Sequence, residues 1–182
     1  LCADADDIES NDVNLDGFPQ VELVVNSGKK GAATGWNVAV ANSTGKVIVC
    51  VADDWEPPPH WDTELLRTIP DIDGEFVIEV SVGGEADNRR LLPFSVLSRK
   101  RYERFGYVFH PDYYGLFADD EFTDVARRDG VVIDARHLMF PHHHFTTGAS
   151  PMDEIYARQN NWAVIQNGCE LYQRRKESGF AN

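Results

Sequence analysis

The apolar run Val47-Ile48-Val49-Cys50-Val51 constrains this chain more than any other stretch. It breaks off at Asp53-Asp54-Trp55-Glu56 and is followed by Pro57-Pro58-Pro59. An unbroken apolar run reads as a strand that lies centrally in a sheet, covered on both faces. The prolines end the strand and force an extended loop. Two carboxylates are thereby delivered to the carboxyl end of a buried strand, where α/β sheets bind ligands. Adjacent carboxylates repel unless a cation lies beside them, and oxygen ligands suit Mg2+ or Mn2+, which also bridge phosphate oxygens. A turn carrying two solvated acids is the alternative.

The rest of the chain alternates strand and helix signals. Leu1 to Ala3 reads as the end of a buried strand, Val21 to Val25 as a compact strand, and Gly28 to Gly31 as a turn. Ala32 to Ser43 has one helical face at Trp36, Val40 and Ser43, with Gly45 as the stop. Trp61 to Thr68 is a short helix, and Phe76 to Val82 an alternating strand before a turn at Gly83-Gly84. Leu91 to Leu97 is apolar, and Ser98 caps a helix running through Arg104. Asp119 to Arg128 has acids in its first turn and Arg127-Arg128 in its last, as the helix dipole favours. Val131 to Ile133 is a further strand. Pro151 to Tyr172 reads as one or two helices with a possible break at Asn167-Gly168. This order predicts an α/β sheet domain, and 182 residues suffice for one core.

Three more groups bear on chemistry. Asp4-Ala5-Asp6-Asp7 follows an apolar segment, so a second strand end would bring acids to a sheet edge; an acidic loop is the alternative. Asp119-Asp120-Glu121 opens a helix, where a carboxylate can take a proton from an incoming hydroxyl or simply complement the helix end. In His142-His143-His144 the outer two share a face of an extended segment and would add nitrogen ligands to the Asp pair.

A net charge of −13 disfavours a nucleic-acid partner. The three cysteines form no CxxC pair, so neither a zinc knot nor a disulfide framework is expected, and a reducing cytoplasmic setting is the simplest reading. Leu1 to Asp7 turns acidic at once, so no signal peptide is read there. No apolar run of about 18 residues predicts a transmembrane segment. The P-loop, Rossmann and GxSxG signatures do not occur.

Taken together, Gly35-Trp36-Asn37-Val38-Ala39, Ser43-Thr44-Gly45, Val51-Ala52-Asp53-Asp54 and Pro57-Pro58-Pro59-His60-Trp61-Asp62 resemble the GT-A glycosyltransferases, family 2 in particular. Phe117 to Phe122 is similar to that family's acidic catalytic segment, and Phe140 to Phe145 to its histidine segment. The resemblance implies a three-layer α/β sandwich on a mixed, mainly parallel sheet. It makes 1–182 one domain, with a donor-nucleotide half over about 1–62 and an acceptor half over about 63–182. Because the family opens with a further strand and helix, Leu1 falls at its second strand and the fold is expected to lack the first unit.

Carried over by residue, the resemblance makes Asp54 a metal ligand in a DxD-like motif whose first Asp is replaced by Ala52. Asp53 then contacts the ribose or the metal. Asp4, with Asp6 nearby, reads the nucleotide base, and Asn37 joins the nucleotide-sugar site. Asp119 deprotonates the acceptor, with Asp120 its rival, and His142 or His144 assists the metal. The implied activity is a manganese- or magnesium-dependent, inverting transfer of a hexosyl-type group from a nucleoside diphosphate sugar to a hydroxyl acceptor. A degenerate sugar-nucleotide or glycan binder and an Asp/His metal-dependent hydrolase are the rival readings.

Overall fold

The computed structural model describes residues 1–52, 54–143, 157 and 161–181. Strands β1 (Cys2–Asp4) and β2 (Val24–Asn26) pair in parallel, with Asp4 opposite Asn26. The second strand begins later than its apolar run suggests, and Val21 instead closes a turn on Phe18. Between the two strands lies α1 (Ile8–Asn11), capped by the Asp7 side chain. The chain continues through α2 (Ala32–Ala41), β3 (Val47–Cys50), α3 (Trp61–Thr68), β4 (Val77–Ser81), α4 (Gly84–Arg89) and β5 (Ser95–Ser98). It ends with α5 (Arg99–Phe105), α6 (Ala118–Arg128), β6 (Val132–Met139) and α7 (Trp162–Glu177).

The larger sheet has the order β3-β5-β4-β6. β5 is antiparallel to both neighbours and β4 is parallel to β6. It follows that β3, β4 and β6 run the same way and end at one edge of the sheet. The sheet is mixed, as expected, with two antiparallel pairings and one parallel pairing among its described strands.

Among the described residues β3 has one strand neighbour, β5, and lies at the border of this sheet, where the sequence pointed to its centre. Its apolar run is still used on both faces. Ile48 and Cys50 enter a core with Ala33 and Val40 of α2 and Phe122 and Ala126 of α6. Val47 and Val49 pack on the opposite side against a core holding Leu65 of α3, Phe94 and Phe140. Helices therefore cover both faces of the sheet. A continuous apolar strand reports two covered faces, and two covered faces do not require two strand neighbours.

Local signals hold for α5 and α6. Ser98 accepts from the Arg101 amide, and Gly106 closes α5 with φ 77°. Gly83-Gly84 reads as a turn from sequence, but Asp87 folds back onto the amides of Val82 (2.8 Å) and Gly83 (3.0 Å) and makes Gly83 the start of a helix. β6 runs well past Ile133, because its inner residues Ala135 and Leu138 reach the core while Asp134, Arg136 and His137 stay exposed. α7 passes unbroken through Asn167-Gly168. A Cβ on Gly168 would come within 2.9 Å of the Leu116 carbonyl oxygen, so glycine serves a close helix-to-loop approach there. Among the described residues, no helix is long and apolar enough to cross a membrane.

Candidate active site

Asp54 stands just beyond the carboxyl end of β3. The chain after β6 meets it there, because the Phe140 amide continues the ladder onto the Ser81 carbonyl (2.8 Å) and Phe140 is buried against Phe94. The next residues fasten the two loops together. The Glu56 amide donates to the Pro141 carbonyl (3.0 Å), and the His143 amide donates to the Asp54 carbonyl (2.8 Å). The rings of Trp55 and His142 stack at 4.1 Å with an interplanar angle of 7°. His142 Nε2 lies 2.9 Å from Asp54 Oδ2, and His143 Nε2 lies 2.9 Å from Glu56 Oε2. Two motifs 88 residues apart thus form one junction. Asp53 and His144 lie outside the described residues.

One carboxylate and one imidazole side by side are a mixed oxygen–nitrogen donor pair: the Asp54 carboxylate suits Mg2+ or Mn2+, which keep water or phosphate oxygens, and the His142 nitrogen suits Mn2+ better than the harder Mg2+. Among the described residues, no group of three or more His, Cys, Asp or Glu could form a closed protein cage.

Asp4 belongs to a second cluster. Its Oδ1 accepts from Asn26 Nδ2 (2.8 Å), and Asn26, itself buried, also accepts from the Gly28 amide (3.1 Å) and donates to the Lys29 carbonyl (3.1 Å). Asp6 forms an ion pair with Lys30. The Lys29 ammonium donates to the carbonyls of Pro111 (3.1 Å) and Asp112 (2.8 Å). Beside it, Gly31 has φ 130° and sits so close that a Cβ would lie 2.2 Å from the Tyr114 carbonyl oxygen. Asn37, expected at the donor, has its amide on the backbone of this same connection. It accepts from Val108 (2.8 Å) and Phe109 (3.2 Å) and donates to the Phe109 carbonyl (2.7 Å).

That connection leads into α6, which begins with Asp119 and Asp120. Burial, and next the neighbouring Asp120 charge, push the Asp119 carboxyl up to about 6, against the pull of the first-turn amides and Arg89. Asp120 is held by Arg89 of α4 at 2.5 Å. Glu121 turns the other way: it accepts from Tyr113 Oη (2.9 Å) and from Arg175 Nε and Nη2 (2.7 and 2.8 Å), which docks α7. Trp55 has no sequence signal of its own. Arg89 and Arg175 lie in the basic clusters Arg89-Arg90 and Arg174-Arg175-Lys176, which the sequence offers as partners for a diphosphate or, by default, as solvated helix faces; the structure pairs each with an acid of α6 instead. A hollow of about 240 Å³ opens between Tyr114 and Leu116 on one side and Val164 and Leu171 of α7 on the other, apart from the Asp54 junction.

The short helix α4 links the two acidic places. It starts after Ser81, the strand end that carries Phe140, and its last turn reaches Asp120. No curated protein and no solved structure matches the chain. Residues 4–118, well over half of its length, match Glycosyl transferase family 2. The matched stretch runs from the last residue of β1 through β5 and holds the Asp54 loop and the approach to Asp119, and the chain belongs to glycosyl transferase family 2, with a GT-A-like α/β fold.

Proposed function

We propose that this chain, whose family uses a nucleotide-sugar donor and an acceptor, transfers a hexosyl-type group from a nucleoside diphosphate sugar to a hydroxyl acceptor, with inversion. The contact of Asp54 with His142 at the shared sheet edge is the observation that carries this reading. Asp54, with His142 or His144, would hold Mg2+ or Mn2+, and Asp53 would contact the ribose or the metal. The ion's contribution there is to neutralise charge on the diphosphate. Residues 1–62 form the donor half, in which Asp4 and Asp6 face the nucleotide and Asn37 shapes the neighbouring loop. Residues 63–182 form the acceptor half.

Asp119 takes the acceptor proton. A carboxylate held near 6 is a better base at neutral pH than an ordinary one and is still mostly ionised there. Asp120 lies beside it and is paired with Arg89. A reducing setting such as the cytoplasm suits the three free thiols, of which Cys50 is buried and raised to about 12.

The test is a panel of nucleoside diphosphate sugars, screened by calorimetry with and without Mn2+. Asp54→Ala is expected to abolish Mn2+-dependent donor binding, and unchanged binding would remove the metal role. Asp119→Asn should lower turnover by roughly 10²–10⁴-fold while donor binding survives. Release of free sugar to water without any acceptor would favour the hydrolase reading instead.

A further inference from the structure

We propose that Arg89 is a positioning residue that divides the work of the two neighbouring aspartates, holding Asp120 as a fixed ionic partner so that Asp119 alone carries the exchangeable proton. The proposal rests on reading Asp119 as the base, and it stands on how firmly Arg89 is placed.

α4 is anchored at both ends. At its start, Asp87 takes the amides of Val82 and Gly83 and the Ser81 hydroxyl, tying the helix to the end of β4. Just past its end, Arg90 forms two bonds to the buried Glu79 (2.9 and 2.6 Å), and the Arg90 carbonyl accepts from Arg127 of α6 (2.6 Å). The Leu92 amide then donates to Thr123 Oγ1 (3.0 Å), and that hydroxyl donates to the Asp119 carbonyl (2.6 Å). The segment carrying Arg89 is therefore registered against the same turn of α6 that carries both aspartates. The guanidinium leans in from solvent, half exposed, to an Asp120 carboxylate that is only 14% exposed.

Two adjacent carboxylates without such a partner share their titration, and the proton belongs to the pair rather than to one of them. A cation fixed on one member breaks the symmetry, since an opposite charge at contact favours the ionised form. The charged groups acting on Asp119 are Asp120 from its own turn and Arg89 from α4. Asp120 raises it and Arg89 lowers it, while burial raises it and the amides of Asp119 and Asp120 lower it. Glu121, the next acid, is turned away into its bonds with Tyr113 and Arg175.

The test follows the aspartate carboxyl carbons of the isotope-labelled full chain by NMR as pH is varied, with signals assigned through Asp119→Asn and Asp120→Asn. In the unaltered protein, Asp119 should titrate as a single step near 6. Arg89→Ala should raise its midpoint by ~0.5 pH unit or more and broaden or split the step, because the neighbouring carboxyl then shares the proton. Arg89→Lys should restore the single step, and Asp120→Asn should move the Asp119 midpoint downward. A broadened or two-step Asp119 titration in the unaltered protein, or an Asp119 midpoint indifferent to both Arg89→Ala and Asp120→Asn, would overturn the proposal. The measurement needs no substrate. If Asp119→Asn turns over normally while these titrations behave as expected, the base assignment fails and the Arg89 division stands.

Discussion

The β1–β2 corner and the β4–α6 frame both hold acids at strand or helix ends, but they are built from different forces. In the corner the strands are three residues each, and only Ala3 and Asn26 of them are buried. Its order comes from the Asn26 amide, the Asp6–Lys30 pair and the Lys29 ammonium on backbone carbonyls. In the frame every residue of β4 is buried, and the buried carboxylates Glu79 and Glu121 are each gripped by arginine. A region held by a few polar bonds can open at low cost and adapt to a ligand. A packed frame can instead hold a group where solution would not leave it, as it holds Asp119.

The largest expected break lies in the frame. Glu121→Ala leaves Arg175 and the Tyr113 hydroxyl buried without their acceptor. Breaking a buried pair in this way costs about 3–5 kcal/mol, at the lower end if Arg175 swings out to water. Chemical denaturation should show it as a lower midpoint for the whole chain. A loss confined to α7 would mean that the clamp serves the helix and not the frame.

A smaller effect runs the other way. The Asp119 carboxyl is raised from its ordinary value to about 6 by burial first and the Asp120 charge second, so the folded state prefers it protonated. It therefore carries no penalty below the unfolded value near 4, and the penalty grows as pH rises through 6. Asp119→Asn is expected to have little effect on melting temperature near pH 4 and to raise it at neutral pH, by ~1–3 kcal/mol of stability. Equal melting curves at neutral pH would show that the frame does not impose this cost.

The smallest global effect is expected in the corner. Asn26→Ala removes the bonds to Asp4, Gly28 and Lys29, worth ~1–2 kcal/mol locally. Hydrogen exchange should quicken over residues 2–4 and 24–30 while β4 and β6 keep their protection. Equal loss in both regions would merge the two into one cooperative unit and dissolve the contrast.

The elements legible in the sequence are those whose signals are local. The Ser98 cap, the acidic first turn of α6 with Arg127-Arg128 in its last, and a short apolar strand β3 ending before Asp54 each hold in the structure. The Asp54 loop was legible for the same reason, as a strand end followed by residues that cannot extend it. α4 was missed because its start is made by Asp87 reaching back to Val82 and Gly83, a bond that no spacing rule announces. The unbroken course of α7 was missed because Gly168 answers to Leu116, a residue far away in sequence.

Family membership and the identity of the candidate acids were thus fixed by short stretches of chain, since capping, proline stops and charge order act over a few residues. Which of these side chains meet was decided only in three dimensions. His142 meets Asp54 because β6 pairs with β4 and the ladder runs on through Phe140. Arg89 meets Asp120 because α4 is pinned between Asp87 and Glu79. β3 was placed at the border of its sheet because covering two faces of a strand says nothing about how many strands lie beside it.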